Sequence, residues 1–215
     1  MRLPVVAGPI ILKMACIMKI CVISDSHDNR QLMVAAVEDA KARGAQLVLH
    51  CGDVVAPSSL VGLKKIGLPM HVIHGNNTGD LFTMHRIAQE SEGLIHYYGQ
   101  DAGIVEHGRN IFIVHYPHYA RAMACTGDWD LVCCGHDHRA QIISIPTIKG
   151  GRTLLVNPGT VAGLGGPATY ALGDLETLEF AIFDVPVKSD ADAASLNADM
   201  TRDPSRVSAQ TEQDH

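Results

Sequence analysis

The chain has 215 residues, 47% of them hydrophobic and 19% charged, with a formal charge of −6 at pH 7. That length suits one domain able to bury roughly 70% of its unfolded surface, and the composition excludes a globally disordered chain. The acidic balance excludes a broad basic surface of the kind that holds a nucleic-acid backbone, so an anionic ligand must be attracted locally.

Residues 3–12 are apolar but too short to span a bilayer, and Lys13 and Lys19 interrupt the apolar stretch beyond them. With little positive charge at its start and no small-x-small cleavage site, this segment is also a poor signal peptide. A natural first strand opens at Met18, so 1–17 reads as an extension or the product of a misplaced start codon, and the folded domain is expected at 18–186. The first strand is predicted at 19–24 and a helix at 29–43, with Leu32, Val34, Ala36, Val37 and Ala40 apolar and Gly44 as the stop. A strand at 46–50, a helix at 58–66 and a strand at 70–74 repeat the pattern, and alternation of this kind implies an α/β fold with a parallel sheet. Beyond a helix at 81–91 the texture changes. Strands at 103–107 and 110–115 form a hairpin, a helix follows at 117–126, and 130–134 is a buried strand. Two further hairpins are predicted, at 141–147 with 153–156 and at 169–175 with 178–184, so that a pair of mixed sheets flanked by helices is implied. From 187 to 215 the chain has too few large apolar groups to fold alone and is expected to be a disordered or loosely attached polar tail.

Twelve histidines against five tyrosines and four phenylalanines are the compositional oddity, and histidine is the commonest metal ligand. Polar motifs fall at the ends of predicted strands, where open parallel sheets bind ligands: Asp25-Ser26-His27, Gly52-Asp53, Gly75-Asn76-Asn77, His115 and Gly135-His136-Asp137-His138. In an extended chain Asp25 and His27, or His136 and His138, would point to the same side and meet one cation. The glycines before Asp53, Asn76 and His136 would let the backbone bend under a metal cluster. Two aspartates, one asparagine and four histidines are a mixed oxygen and nitrogen set suited to Mn, Fe, Zn, Ni or Co rather than Ca or Mg. Asp53 suits a bridging role, and two ions about 3.5–4 Å apart can share a hydroxide and hold a phosphate ester. The six cysteines show no C-x-x-C pair and are read as reduced thiols of a cytoplasmic protein, with Cys51, Cys133 and Cys134 as buried strand positions rather than ligands.

These motifs, in this order, resemble the calcineurin-like metallophosphoesterases, in particular their small prokaryotic phosphodiesterase branch, which also resembles the retromer subunit of the same fold. Asn157-Pro158-Gly159-Thr160 resembles that branch's late N-P-G-[ST] turn. The resemblance spans roughly residues 18 to 185. It implies a four-layer α/β/β/α sandwich. It also implies one metal on Asp25, His27, Asp53 and His138, and a second on Asp53, Asn76, His115 and His136, with manganese as the first expectation. Many members place His after the Gly-Asn pair, where it is thought to protonate the leaving group. Here that position is Asn77, so a good leaving group, metal-bound water, or a nearby histidine such as His118 or His74 is expected to fill the gap, with His118 named alongside Asp53 as catalytic.

The expected function is hydrolysis of a small phosphodiester, ahead of a monoester, by a hydroxide bridging two divalent metals. The preference rests on the few cations near the motifs, Arg30 and Arg121 excepted. The rivals are a non-catalytic protein-interaction scaffold and a nuclease, the latter disfavoured by the acidic charge. No membrane partner is expected, and a homodimer is the default on base rates. His71, His85, His96, His107 and His215 are read as surface or satisfied core residues, and His50 as either a support for the ligands or a strand end. Tyr116, Pro117 and Tyr119 are read as packing rather than a substrate wall, Trp129 as packing, and Gly163-Leu164-Gly165-Gly166 as a rim loop rather than a phosphate cradle.

Overall fold

Ile20 and Val22 point to one side of the first strand and Cys21 and Ile23 to the other, and all four are fully buried. A strand buried on both faces belongs inside a layered α/β structure. The computed structural model describes residues 17–186. The expected tail, and all of the expected N-terminal extension except Ile17, lie outside the described residues.

In chain order the elements are β1 (Lys19–Ile23), α1 (Arg30–Ala42), β2 (Ala45–His50), α2 (Ser58–Lys64), β3 (Met70–Val72), α3 (Leu81–Gln89), β4 (Ile95–Tyr97), β5 (Asp101–Glu106), β6 (Arg109–Val114), α4 (Pro117–Thr126), β7 (Leu131–Cys133), β8 (Gln141–Pro146), β9 (Arg152–Asn157), β10 (Thr169–Asp174) and β11 (Glu179–Asp184). One sheet runs β11-β10-β1-β2-β3-β4 and the other β5-β6-β7-β9-β8. Both mix parallel and antiparallel pairs, as the change of texture along the sequence implied.

Three hydrophobic clusters account for the four layers. Met33, Val37, Leu60 and Met84 of α1, α2 and α3 pack on one face of the first sheet with Cys21, Ile23 and Val48. Ile20, Val22, Leu47 and Leu49 on its other face meet Ile104, Ile111, Ile113 and Leu131 of the second sheet. Ala120 and Ala124 of α4 cover the remaining face over Val114, Val132 and Leu155. Each fully buried Leu or Ile contributes roughly 1.5–3 kcal/mol, so the layers are held together mainly by these apolar contacts. The sequence pattern predicted no strand at β4. It has only three residues, two of them polar, and its strand character comes from parallel pairing with β3.

Several histidines read as structural are satisfied. The His71 ring contacts Tyr98 Oη at 2.7 Å and Glu106 Oε1 at 3.0 Å, and His107 lies 3.6 Å from Glu176. What the fold does for chemistry is bring the carboxyl ends of β1, β2, β3, β6 and β7 together.

Candidate metal centre

Asp25, His27, Asp53, Asn76, His115, His136 and His138 all lie on the loops that leave those strand ends, and the fold gathers them into one cup. Asp25, Asp53 and His115 form its buried floor, His27 and His138 its half-buried wall, and Asn76 and His136 its exposed lip.

The geometry of convergence differs from the extended one expected. Asp25, His27, Asp53, His136 and His138 have φ of 54°, 39°, 57°, 75° and 57°, the left-handed region that side chains disfavour. Each such residue costs about 1–3 kcal/mol and persists only where the surroundings impose it. Val55, β-branched and at φ 68°, continues the pattern beside Asp53. The Gly rule also divides. Gly52 has φ +107°, as the expected bend requires. Gly75 and Gly135 are instead demanded by space: a Cβ at Gly75 would lie 2.0 Å from Asp53 Oδ1, and one at Gly135 would lie 1.8 Å from Ser24 Oγ.

Two histidine tautomers are set by their partners. A carbonyl can only accept, so His115 Nδ1 donates to Cys51 O at 2.8 Å and His138 Nδ1 to Leu164 O at 2.7 Å. Each ring then turns Nε2 into the cup. There His115 Nε2 lies 3.0 Å from Asn76 Oδ1, 3.4 Å from Asp53 Oδ1 and 3.9 Å from Asp25 Oδ1, while His138 Nε2 lies 3.3 Å from Asp25 Oδ1 and 3.4 Å from His27 Nε2. His27 Nε2 is 3.6 Å from Asp53 Oδ2, and His136 Nδ1 is 2.8 Å from Asn76 Oδ1. Asp25 Oδ1 is buried and has no hydrogen-bond partner among the described residues. Lone pairs facing lone pairs around a buried orphan oxygen need cations between them. The ligand atoms of Asp25, His27 and His138 lie within 4.8 Å of one another, as do those of Asp25, Asp53 and His115. The residues fit divalent ions.

Some supports were invisible to residue-type reasoning. Asn77, read from sequence only as a missing acid, donates its backbone N–H to Asp53 Oδ1 at 2.9 Å and its Nδ2–H to Oδ2 at 2.6 Å, fixing both oxygens. Asn157 donates to Gly135 O and Asp137 Oδ1, and Thr160 Oγ1 to Asp25 O, so the 157–160 turn braces two ligand loops. Backbone carbonyls such as Cys51 O leave no signal in sequence. The buried cysteines Cys51, Cys133 and Cys134 are free thiols, and burial pushes those of Cys51 and Cys134 up.

His50 supports the ligands. Its Nδ1 accepts from Gly52 N at 3.3 Å, so its Nε2–H donates to Ser26 Oγ at 3.0 Å, and Ser26 Oγ donates to Asp53 O at 3.3 Å. Burial pushes its pKa from 6.5 down to about 3, with the His115 charge adding to the effect. Between those values the unfolded chain binds a proton that the folded chain refuses, so this stability is complete above pH 6.5 and is lost as pH falls. Urea unfolding of metal-free protein is expected to show about 2 kcal/mol less stability at pH 5 than at pH 7 from this group. His50→Gln should flatten that slope, and an unchanged slope would place the acid sensitivity elsewhere.

His74 Nδ1 contacts Tyr97 Oη at 2.6 Å, and burial lowers its pKa. His118 is exposed and packs its ring 5.7 Å from Tyr116 and 4.5 Å from Tyr119. Neither makes a hydrogen bond to the ligand set among the described residues. Arg30 is tied to Ser58. No described arginine or lysine pairs with the ligands. The rim loop reaches the site through Leu164 O.

The sequence matches the calcineurin-like phosphoesterase superfamily domain over residues 18–178. Among curated proteins it is similar to phosphodiesterase MJ0936 of Methanocaldococcus jannaschii, 25% identical over 169 residues that cover 76% of this chain and 96% of that one. A solved archaeal phosphodiesterase superposes with TM-score 0.70 at 23% identity, covering 78% of this chain and 99% of its own. Vacuolar protein sorting 29 from Cryptosporidium parvum shares the fold with TM-score 0.54 at 17% identity, covering 79% of this chain and 92% of its own.

Proposed function

The chain belongs to the calcineurin-like phosphoesterase superfamily, and from that premise we propose that it is a phosphodiesterase whose cup holds two divalent transition-metal ions. The observation that carries this reading is the buried, unpartnered Asp25 Oδ1 among histidine nitrogens turned inward. Asp25, His27, Asp53 and His138 would hold one ion, and Asp53, Asn76, His115 and His136 the other. Asp53 would be the residue shared by both sets, a role supported by its Oδ1 facing His115 and its Oδ2 facing His27, whereas Asp25 meets all three neighbouring histidines through the same Oδ1. Manganese heads the expected metals, with Ni, Co, Zn or Fe as alternatives, since the donors are nitrogen and oxygen.

Such ions would supply Lewis acidity for polarising a phosphoryl group and activating water. The chain's own work is positioning. Asn77 holds both Asp53 oxygens, and the carbonyls of Cys51 and Leu164 orient two rings, so little reorganisation is left for the reaction itself. A singly charged diester suits a cup without an arginine or lysine clamp better than a dianionic monoester does. His118, exposed near the lip, is retained as the candidate proton donor to the leaving group. The described chain contains no helix long and apolar enough to cross a membrane. The free buried thiols fit a reducing compartment such as the cytoplasm.

Metal-stripped protein resupplied separately with Mn, Ni, Co, Zn or Mg should regain turnover of bis(4-nitrophenyl) phosphate in preference to 4-nitrophenyl phosphate. Two ions bound per chain with no turnover under any metal would favour a scaffold, the reading that the likeness in fold to vacuolar sorting protein 29 keeps open.

A further inference from the structure

Tyr116 follows His115 directly and caps α4 with extended backbone, φ −87° and ψ 128°, before Pro117 turns the chain into the helix. That turn stacks the first helical residues at the mouth of the cup. The Tyr116 ring packs edge-on against two ligand rings, with centroids 5.3 Å from His115 and 4.9 Å from His136. It also meets Tyr119 at 6.0 Å with the planes at 84°, so the two tyrosines stand at a right angle. His118 packs against both tyrosines, 5.7 Å from Tyr116 and 4.5 Å from Tyr119, so the three rings form one cluster. The tyrosines were expected to be packing, yet Tyr119 is 50% exposed and His118 is also exposed. Aromatic residues make up only 5% of the chain, so the exposed rings of His118 and Tyr119, joined to the candidate ligands through the partly buried Tyr116, have a binding surface as their simplest purpose.

We propose that the Tyr116–Tyr119 corner is a subsite for a planar aromatic group of the substrate, so that the preferred esters are diesters carrying an aryl or nucleobase-bearing arm. The inference rests on the phosphodiesterase reading for the anchoring of the phosphate, and it adds which ester arm is recognised. The physical basis is ring geometry. An inserted ring would lie along one tyrosine face and present its edge to the other, the offset and edge-to-face arrangements that aromatic pairs favour. The corner is tolerant toward the kind of ring, because every planar base or aryl group has a π face. It also keeps the phosphate near the candidate metal centre, since Tyr116 packs against His115 and His136, the rings that would hold one of the ions.

The test is calorimetric, so that it does not depend on turnover. Manganese-loaded protein is titrated with diphenyl phosphate and with dicyclohexyl phosphate, which have similar shape but only one of which is aromatic. The expected result is about tenfold tighter binding of the diphenyl ester, a preference kept by Tyr119→Phe and reduced to within about twofold by Tyr119→Leu. Because Tyr119 is half exposed, the leucine variant should unfold at the temperature of the parent, which separates lost recognition from lost structure. Equal binding of the two esters by the parent, or a full preference surviving in Tyr119→Leu, would overturn the subsite. A protein that shows the aromatic preference yet hydrolyses no ester would refute the hydrolase reading and leave the subsite standing.

Discussion

Asp53→Asn is expected to lower metal-restored hydrolysis by about a thousandfold while leaving the fold intact, because position 53 is where charge and geometry are both spent. Both carboxylate oxygens of Asp53 accept from Asn77, through the backbone N–H and Nδ2–H. An amide in their place must turn its own NH2 toward one of those donors, so the substitution removes a negative charge and also sets donor against donor. The loss should appear in ion content as well as rate. In the proposed two-ion arrangement one oxygen on each side would let a single residue serve both ions, and an amide has only one oxygen to offer. The metal-free variant should be no less stable than the parent, since two buried carboxylates within 4.8 Å of a shared histidine repel one another without cations. Ion content by plasma mass spectrometry, kcat/KM and urea unfolding together decide the matter. Full activity in a protein holding a single ion would show that the bridge is not needed.

Much of this was legible in the sequence because the polar motifs sit where an apolar strand ends. The strands at 19–24 and 46–50 and the helix at 117–126 announce themselves through continuous burial or Pro at the start, and the structure places them within one residue of those bounds or on them. The seven candidate ligands are read by type and order, and the fold brings all seven residues together. What sequence withholds is the manner of convergence. Alternation in an extended strand predicts the right neighbours for Asp25 and His27, but both adopt positive φ. Nothing in the residue type announces that, because the strain is imposed by packing that spans more than a hundred residues, as in the bond from His136 N to Asp25 Oδ2. Asn77 shows the complementary failure. Compared with the common motif it looks like a lost acid, and only its two bonds to Asp53 show what it does. The same applies to Tyr116, whose placement on His115 and His136 is set by the turn into α4.

Gly135→Ala should cost about 3 kcal/mol and abolish metal binding, whereas Gly62→Ala should stabilise the protein by about 0.5–1 kcal/mol, although both add one methyl group. At Gly62, inside α2, the new Cβ would meet Val34 Cγ2 at 3.5 Å, an ordinary contact, and alanine loses less backbone entropy in a helix than glycine. At Gly135 the new Cβ would lie 1.8 Å from Ser24 Oγ, 2.7 Å from Ser24 Cβ and 2.5 Å from Asp25 Oδ2. Rotating the serine hydroxyl does not clear its Cβ, and Ser24 is fully buried, so the ends of β1 and β7 must separate. Separation breaks the 2.9 Å bond from His136 N to Asp25 Oδ2, which links the two ligand loops across the cup. The floor and the lip of the site then move apart together, so affinity for metal falls along with stability. Urea unfolding of both variants without metal, followed by ion titration, checks the contrast. A Gly135→Ala protein within about 1 kcal/mol of the parent and still holding its ions would show that the loops can part without harm, and that the close approach at Gly135 is not what builds the site.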